Sequence, residues 1–389
     1  MKKRKIAIIT ATRAEYGLLK PLIQKVEDDS SLELQLIVTG MHLSPEFGLT
    51  YKEIEQEFQI DKKIEILLSS DTPVGLAKSM GLAQIGFADA LDELRPDIVV
   101  ILGDRYEIFA AAAAAMTARI PLAHIHGGEA TEGLIDEAIR HSLTKMSHLH
   151  FCAAEPYRKR IIQLGEDPSR VFTVGGLGIE SIKNLQLLSR EEFESAVEFK
   201  LAKKNLLVTY HPVTLEKESA KKSFAALLAA LEQLEDTHII FTKANSDTEG
   251  RVINQMIDTF VAKYPKSSKA FTSLGQLRYL SALQYVDGVV GNSSSGLLEA
   301  PSFHIGTVNI GERQKGRIKA KSVIDAKEQT KSILKALQKL YSEDFQKMLP
   351  QVENPYGNGN ASKQIVDILK TSNLDTIVKK SFYDIEVPL

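Results

Sequence analysis

Cysteine is almost absent from this chain of 389 residues, because Cys152 is its single cysteine. One cysteine excludes an intrachain disulfide and any metal site built from several thiolates. Such cysteine usage is typical of a reducing compartment. We therefore expect a cytoplasmic protein.

Long apolar runs are also lacking. The longest covers residues 108–116, nine residues of which six are alanine, whereas a membrane span needs about 20. The apolar stretch that follows the basic start of the chain is too short for a secretory signal. We expect a soluble protein that does not use a membrane as a partner.

Neither sign of charge is in excess, since 48 Lys and Arg residues face 50 Asp and Glu residues. This balance argues against a general nucleic-acid binder, which would be basic overall. Apolar residues make up 43% and charged residues 25%, which is ordinary globular composition. At about 150 residues per domain, the length predicts two to three domains.

Short runs of Ile, Val and Leu alternate with amphipathic helical patterns along the whole chain. Strands are predicted at residues 5–10, 34–39, 64–67, 97–102, 122–125, 148–152, 171–174, 206–210, 238–242, 286–290 and 305–310. The main helices are predicted at residues 17–27, 75–94, 107–118, 135–145, 219–234, 251–263, 275–283 and 294–300. This alternation predicts two α/β units, each with a parallel sheet covered on both faces.

Glycine clusters indicate the domain boundaries. Three glycines follow a predicted strand in residues 174–178, and a turn-rich stretch occupies residues 354–360. The predicted domains are residues 1–175 and 176–360. A final segment, 361–389, begins with a helix.

Polar side chains follow the predicted strands in both halves. Ligands of open parallel sheets bind beyond the carboxyl ends of the strands. Two such edges facing each other would form an interdomain cleft, a common kind of ligand site. The candidate residues at these positions are Arg13, Asp104, Arg105, His126, Glu129 and Asp136 in the first half and His211, Asn245, Gly291, Ser293, Ser294 and Arg313 in the second.

The loop at 291–296 joins a predicted strand to a predicted helix. Its glycines allow close approach, and the free N–H groups of a helix start favour an anion, so the loop suits a diphosphate. The other interpretation is a loop that merely caps the helix with serine. Arg13 and Arg313 suit phosphate oxygens, or are surface cations. Asp104 and Arg105 are either a surface ion pair or a catalytic carboxylate beside an arginine.

Histidines gather near the predicted strand ends, at positions 124, 126, 141 and 211. No H-E-x-x-H spacing accompanies them, so acid/base chemistry is favoured over a metal site. The chain also has neither G-x-G-x-x-G nor the phosphate-binding G-x-x-x-x-G-K-[ST] motif. Dinucleotide redox chemistry and P-loop hydrolysis therefore have no support in the sequence.

Eight short motifs occur along the chain in a recognisable order. They are TATRAEYG at 10–17, VTGMH at 38–42, GDRYE at 103–107, HIHGGE at 124–129, DEAIRH at 136–141, HP at 211–212, GNSSSG at 291–296 and NIGERQ at 309–314. With this set the chain resembles the UDP-N-acetylglucosamine 2-epimerases, specifically the hydrolysing branch that serves sialic acid biosynthesis. The resemblance runs from about residue 5 to the end of the chain.

The resemblance implies two Rossmann-like domains of the glycosyltransferase-B type, with the last helix crossing back to the first domain. It implies conversion of UDP-N-acetylglucosamine and water to N-acetylmannosamine and UDP. The route is an anti elimination to a glycal, followed by hydration of that glycal. The family uses no metal or redox cofactor and forms homodimers or homotetramers.

The resemblance also implies roles for single residues. Asp104 matches an essential acid/base carboxylate, and Glu129 and Asp136 lie in the stretch that supplies further catalytic carboxylates. His211 matches a histidine that touches the phosphate and assists the departure of UDP. The implied UDP-binding residues are Arg13, Arg105, Asn245, Gly291, Ser293, Ser294, Glu299 and Arg313, of which Glu299 matches the ribose-binding carboxylate.

One position departs from the family pattern. Several branches place a glutamate where this chain has His126, so either His126 or Glu129 fills that role. The substrate also stays open. The alternatives are the same reaction on UDP- or GDP-N,N'-diacetylbacillosamine, which leads to legionaminic acid, and a glycosyltransferase of the same fold.

Overall fold

A computed structural model describes residues 3–68, 72–130, 135–211, 219–244 and 250–386. Its contacts divide the chain into two compact units. Unit 1 consists of Met1–Ser181 and Tyr356–Leu389, and unit 2 consists of Ile182–Pro355.

Unit 1 contains a seven-stranded parallel sheet with strand order β3-β2-β1-β4-β5-β6-β7. The strands are β1 (Arg4–Thr10), β2 (Leu32–Thr39), β3 (Lys62–Ile64), β4 (Ile98–Leu102), β5 (Leu122–Ile125), β6 (Leu149–Cys152) and β7 (Val171–Thr173). The strands β2 and β3 lie on one side of β1, and the strands from β4 to β7 lie on its other side. The junction of β1 and β4 is therefore the topological switch point, where ligands of such sheets bind.

Helices cover both faces of this sheet. They are α1 (Arg13–Glu27), α2 (Tyr51–Ile54), α3 (Pro73–Leu94), α4 (Tyr106–Thr117), α5 (Ile135–Met146), α6 (Glu155–Gln163) and α7 (Leu177–Asn184). Alternate residues of β1 enter two separate cores, Ile6 and Ile8 on one face and Ala7 and Ile9 on the other. A strand buried on both faces reads as continuously apolar, which is why its sequence showed no alternation.

Unit 2 repeats the plan with a six-stranded parallel sheet of order β10-β9-β8-β11-β12-β13. The strands are β8 (Lys204–Thr209), β9 (Thr237–Thr242), β10 (Ser268–Phe271), β11 (Gly288–Gly291), β12 (Gly306–Ile310) and β13 (Val323–Ala326). The helices are α8 (Arg190–Ala196), α9 (Ser219–Leu231), α10 (Gly250–Lys263), α11 (Gly275–Leu283), α12 (Ser295–Leu298), α13 (Thr330–Leu340) and α14 (Glu343–Met348). Its switch point lies between β8 and β11.

The last helix, α15 (Ala361–Thr371), belongs to unit 1, where it packs against α1. Ile365 and Leu369 of α15 are fully buried in the core that also contains Leu19 and Ile23 of α1. Apolar burial of this kind is worth roughly 1.5–3 kcal/mol per large side chain, so α15 is an integral part of unit 1.

The structure confirms the two parallel sheets and corrects several elements. The strands β10 and β13 were not predicted, because both are short edge strands of four residues and are only partly buried. The helix predicted at 294–300 is wrong beyond its first turn. The α-helical part is only the four residues of α12, and a 3-10 turn, Ala300–Phe303, follows it. Pro301 explains the early end, because the residue before a proline is disfavoured in the α conformation.

Among the described residues, none of the helices combines the length and the apolar character that a bilayer crossing requires.

Gly291 is the last residue of β11, and both its backbone conformation and its close packing exclude a side chain. Its φ is +135°, and a Cβ at this position would stand 1.9 Å from the carbonyl oxygen of Thr209, its neighbour across the β8–β11 pair. We expect Gly291→Ala to cost at least about 2 kcal/mol of stability, because strain and a backbone clash add.

The matched control is Gly17→Ala in α1, where a Cβ meets nothing within 4 Å. That substitution is expected to stabilise by about 0.5–1 kcal/mol, the usual gain of alanine over glycine inside a helix. Differential scanning calorimetry of both variants makes the comparison. An unchanged melting temperature for Gly291→Ala would contradict the close packing of β8 and β11.

Candidate active site

The β1–β4 switch point of unit 1 carries the first predicted site residues. Arg13 is exposed in the first turn of α1, directly after β1, while Asp104 and Arg105 lie between β4 and α4. Short loops at the carboxyl ends of neighbouring parallel strands bring these groups to one edge of the sheet.

Asp104 is held by an arginine that the sequence analysis did not select. The guanidinium of Arg140, a buried residue on α5, donates to the Asp104 carboxylate and also, over 2.8 Å, to the carbonyl oxygen of His126. Arg140 therefore ties the loop after β4 to the loop after β5. Arg140 belongs to the DEAIRH motif, but nothing else in the sequence distinguishes it from a surface arginine.

Several groups set the proton affinity of Asp104. Burial raises its pKa above the ordinary value of 3.8, and the negative charges of Asp136 and Glu129 act in the same direction, while Arg140 opposes them. Carboxylates that share a small region cannot all ionise freely, so one of them holds a proton more readily. This arrangement suits a residue that accepts a proton and returns it.

His126 and Glu129 form a pair in the loop after β5. Nδ1 of His126 lies 3.0 Å from Oε1 of Glu129, and the backbone N–H of Leu177 points at Nε2 over 3.4 Å. Since Nε2 faces a donor, we assign the proton of the neutral ring to Nδ1, which donates it to Glu129. The backbone of His126 has φ of 63°, an unusual conformation for a residue other than glycine.

Arg105 faces the carboxyl groups of Glu107 and Glu15, which belong to two of the motifs but were not predicted to be site residues. Its Nη2 and Nε donate to the fully buried carboxylate of Glu107 over 2.8 and 3.2 Å. Glu15 lies near enough to interact with it electrostatically. These carboxyl groups hold the Arg105 side chain at the sheet edge and raise the pKa of its guanidinium.

Glu15 also fixes the start of α1. Its carboxylate accepts from the N–H groups of Ala11, at 2.9 Å, and Thr12, at 3.2 Å, in a capping box. Burial nevertheless raises the pKa of Glu15 to about 7. This carboxyl group therefore changes its charge near neutral pH.

His124 does not act as the acid/base group that its position suggested. Burial lowers the pKa of this fully buried imidazole to about 3, so it is neutral under physiological conditions. Its Nε2 lies 2.8 Å from the carbonyl oxygen of Gly103, and its Nδ1 lies 3.3 Å from Oγ1 of Thr144. Its contacts support the backbone that carries Asp104.

The switch point of unit 2 is held together by the side chain of Asn292, another residue of a quoted motif that was not selected. Its Oδ1 accepts from the N–H of His211 over 2.7 Å, and its Nδ2 donates to the His211 carbonyl over 2.8 Å. The backbone carbonyl of Asn292 accepts from Arg313 over 3.0 Å and from Gln314 over 2.8 Å. One asparagine thus joins the loops after β8, β11 and β12.

The serines of residues 293–295 lie at the start of α12. Ser295 bonds to the hydroxyl of Tyr279, and Oγ of Ser293 lies 3.2 Å from Oγ of Ser295. Because α12 has only four residues, it contributes little of the helix dipole that the diphosphate interpretation relied on. Ser293 and Ser294 are both half-buried, and their hydroxyl and backbone N–H groups are of the kind that binds an anion.

Two further predicted residues belong to unit 2. Glu299 follows α12, and burial raises the pKa of its carboxyl group to about 7. Asn245 lies outside the described residues.

Known proteins match this chain over most of its length. A family model described as "UDP-N-acetylglucosamine 2-epimerase" matches residues 24–370. The chain is 48% identical over 386 residues, covering 99% of this chain and all of the relative, to a GDP/UDP-N,N'-diacetylbacillosamine 2-epimerase (hydrolyzing) of Campylobacter jejuni. It is 35% identical over 342 residues, covering 87% of this chain and 88% of the relative, to a UDP-N-acetylglucosamine 2-epimerase of Neisseria meningitidis serogroup B.

A solved structure shares the fold. It is a UDP-GlcNAc 2-epimerase from Neisseria meningitidis bound to UDP-GlcNAc, with a TM-score of 0.79, 20% identity and coverage of 95% of this chain and 100% of that chain. The fold class predicted from the sequence, two parallel-sheet α/β units of the glycosyltransferase-B type, is confirmed.

The proton affinity of Glu15 gives a stability prediction. Because its folded pKa of about 7 exceeds the ordinary value of 4.5, folding favours the protonated form. That contribution is complete below pH 4.5 and is lost as the pH rises through 7. Glutamine cannot ionise, so we expect Glu15→Gln to exceed the wild type in stability at pH 8, by at most about 3 kcal/mol, with little difference at pH 5.

Urea unfolding at both pH values measures this difference. Glu27→Gln, at the exposed end of the same helix, is the matched control. A Glu15→Gln variant that is less stable than the wild type at pH 8 would show that the carboxylate is required in its charged form.

Proposed function

Since the chain belongs to the UDP-N-acetylglucosamine 2-epimerase family and is a hydrolysing nucleotide-sugar 2-epimerase, we propose that its substrate is nucleotide-linked N,N'-diacetylbacillosamine. The observation that carries this choice is the 48% identity, over nearly the whole chain, to a relative named for that sugar. UDP-N-acetylglucosamine, the substrate implied by the sequence resemblance, is the second candidate, supported by the relative that is 35% identical.

The proposed reaction consumes one water and releases the nucleoside diphosphate. A base takes the proton from C2, the C1–O bond breaks, and its electron pair leaves with the diphosphate. The C–H electron pair forms the C1=C2 double bond of a glycal. Water then adds its hydroxyl to C1, and C2 receives a proton on the opposite face, which gives the free sugar with inverted configuration at C2.

Unit 1 supplies the acid and base in this proposal. Asp104 is the first candidate, because burial and neighbouring carboxylates raise its pKa while Arg140 fixes its position. Asp136 and the pair of His126 and Glu129 supply the second group. A C2 proton without an adjacent carbonyl group is weakly acidic, so its removal has to accompany the loss of the diphosphate.

Unit 2 binds the nucleotide in this proposal. His211, Ser293, Ser294 and Arg313 contact the diphosphate and stabilise the charge that develops as the C1–O bond breaks. Gly291 itself has no side chain, so its backbone can approach the phosphates closely. Glu299 binds the ribose, and Arg13 and Arg105 of unit 1 and Asn245 of unit 2 complete the nucleotide contacts implied by the family motifs.

Turnover without an acceptor tests the proposed reaction. Incubation with the nucleotide sugar alone is expected to release nucleoside diphosphate and free sugar in equal amounts, measured by anion-exchange chromatography and NMR. A glycosyltransferase of the same fold would release the diphosphate only after a sugar acceptor is added. Release that depends on an acceptor would overturn the proposal.

Asp104→Asn tests the role of the carboxylate. Asparagine keeps the shape but cannot take the proton, so kcat is expected to fall at least about 100-fold, while the affinity for UDP stays close to that of the wild type. Isothermal titration with UDP and steady-state kinetics measure the two quantities. The control, Asp92→Asn, changes an exposed residue of α3. Wild-type kcat in Asp104→Asn would remove Asp104 from the mechanism.

His211→Ala tests the assistance to the leaving diphosphate. We expect kcat to fall by about 100-fold or more, since a lost transition-state donor typically costs this much. His238→Ala is the control, because His238 lies at the other end of the sheet of unit 2, near the start of β9. Equal rates in the two variants would contradict the proposed role of His211.

A further inference from the structure

The N-terminal turns of three helices in unit 1 line a cavity of about 270 Å³. It lies where α3, α4 and α5 begin, which is the edge of the sheet that carries the candidate acid/base groups. Its lining is predominantly apolar and includes Met80, Tyr106 and Ile135, while Arg105, Asp136 and Ser142 add charged and polar groups.

The charged lining residues connect this cavity to the proposed reaction. Asp136 is one of the candidate carboxylates, and Arg105 directly follows Asp104. The hydroxyl of Ser142 donates to the carbonyl oxygen of Ala138 over 2.8 Å. A sugar ring beside Asp104 and Asp136 would therefore turn one side toward an apolar wall.

Ile135 contributes exposed apolar surface to the cavity wall. This lining residue is the first of α5, and 68% of its surface is exposed. Apolar surface left in water forgoes the stabilisation that burial would give. A bound group with methyl surface would cover it.

The two candidate sugars differ at C4 and C6, the positions that such a wall would contact. N-acetylglucosamine has hydroxyl groups at C4 and C6, whereas N,N'-diacetylbacillosamine has an acetamido group at C4 and a methyl group at C6. Placing a hydroxyl against apolar side chains without a partner costs free energy, while a methyl group gains it. A cavity of this size accommodates both substituents of the trideoxy sugar, which together have five non-hydrogen atoms.

We propose that the cavity at the start of α3, α4 and α5 receives the C4 acetamido and C6 methyl groups of the substrate, with Met80 and Ile135 as specificity-determining residues. This inference rests on the proposed function. It assigns the choice between the two sugars to the apolar wall rather than to the acid/base groups.

Charged lining residues can meet the amide part of the acetamido group. Arg105 and Asp136 both line the cavity beside the apolar side chains. The guanidinium of Arg105 can donate to the acetamido carbonyl, and a carboxyl oxygen of Asp136 can accept from the acetamido N–H. The cavity thus offers apolar surface together with a donor and an acceptor.

Substitution of Met80 by glutamine tests the proposal, because glutamine has nearly the same shape and adds a polar end. The measured quantity is the ratio of kcat/KM for UDP-N,N'-diacetylbacillosamine to kcat/KM for UDP-N-acetylglucosamine. We expect the wild type to favour the diacetylated sugar by about 10–200-fold, the discrimination that a small apolar group provides. Met80→Gln is expected to reduce the ratio at least tenfold.

The controls separate recognition from folding. Met348→Gln makes the same change at a half-buried residue of unit 2 and is expected to leave the ratio unchanged. Ile135→Asn, at an exposed position that tolerates substitution, should reduce the ratio as Met80→Gln does. Ile85→Asn changes a residue of α3 with similar exposure, 65%, that does not line the cavity, and should not.

The possible results are distinguishable. A loss of activity on both sugars in equal proportion, in both cavity variants, would overturn the specificity role and leave the reaction intact. A wild-type preference for UDP-N-acetylglucosamine would do the same. No release of nucleoside diphosphate from either sugar by the wild type, with UDP-linked and with GDP-linked substrate, would overturn the proposed function together with this inference.

Discussion

The ion pair between Arg140 and Asp104 is the constraint on which the candidate site of unit 1 depends. One buried guanidinium holds the carboxylate after β4 and the backbone after β5, so it ties these two loops together. The same pair opposes the rise in pKa that burial imposes on Asp104. Removal of one partner would leave the other charge buried and alone, which is costly. Arg140 thus positions Asp104 and limits the rise of its pKa.

The two units use the same topology for different chemistry. Each sheet reverses its strand order once, and in each the candidate residues lie mainly after the strands at the reversal and the next strand along: β1, β4 and β5 in unit 1, β8, β11 and β12 in unit 2. Unit 1 presents carboxylates and imidazoles there, which suit proton transfer. Unit 2 presents hydroxyls, backbone N–H groups and an arginine, which suit an anion. Asn292 joins separate loops in unit 2, as Arg140 does in unit 1.

Much of this fold was predictable from the sequence, for a physical reason. Central parallel strands such as β4 and β8 are buried on both faces and therefore read as unbroken apolar runs. The edge strands β10 and β13 bury less, so their sequences carry little signal. The candidate residues were predictable because short loops follow the strands. The partners Arg140 and Asn292 were not, because each meets its partner through the fold rather than through spacing along the chain. The length of α12 was missed because Pro301 outweighs the helical pattern before it.

The central claim is that a carboxyl group of unit 1 removes the hydrogen at C2 of the sugar while the nucleoside diphosphate leaves. Proton NMR of the free sugar formed in deuterium oxide tests this claim most directly. The account predicts a product that carries deuterium at C2 and has the inverted configuration there. A product that keeps its original hydrogen at C2 would contradict it.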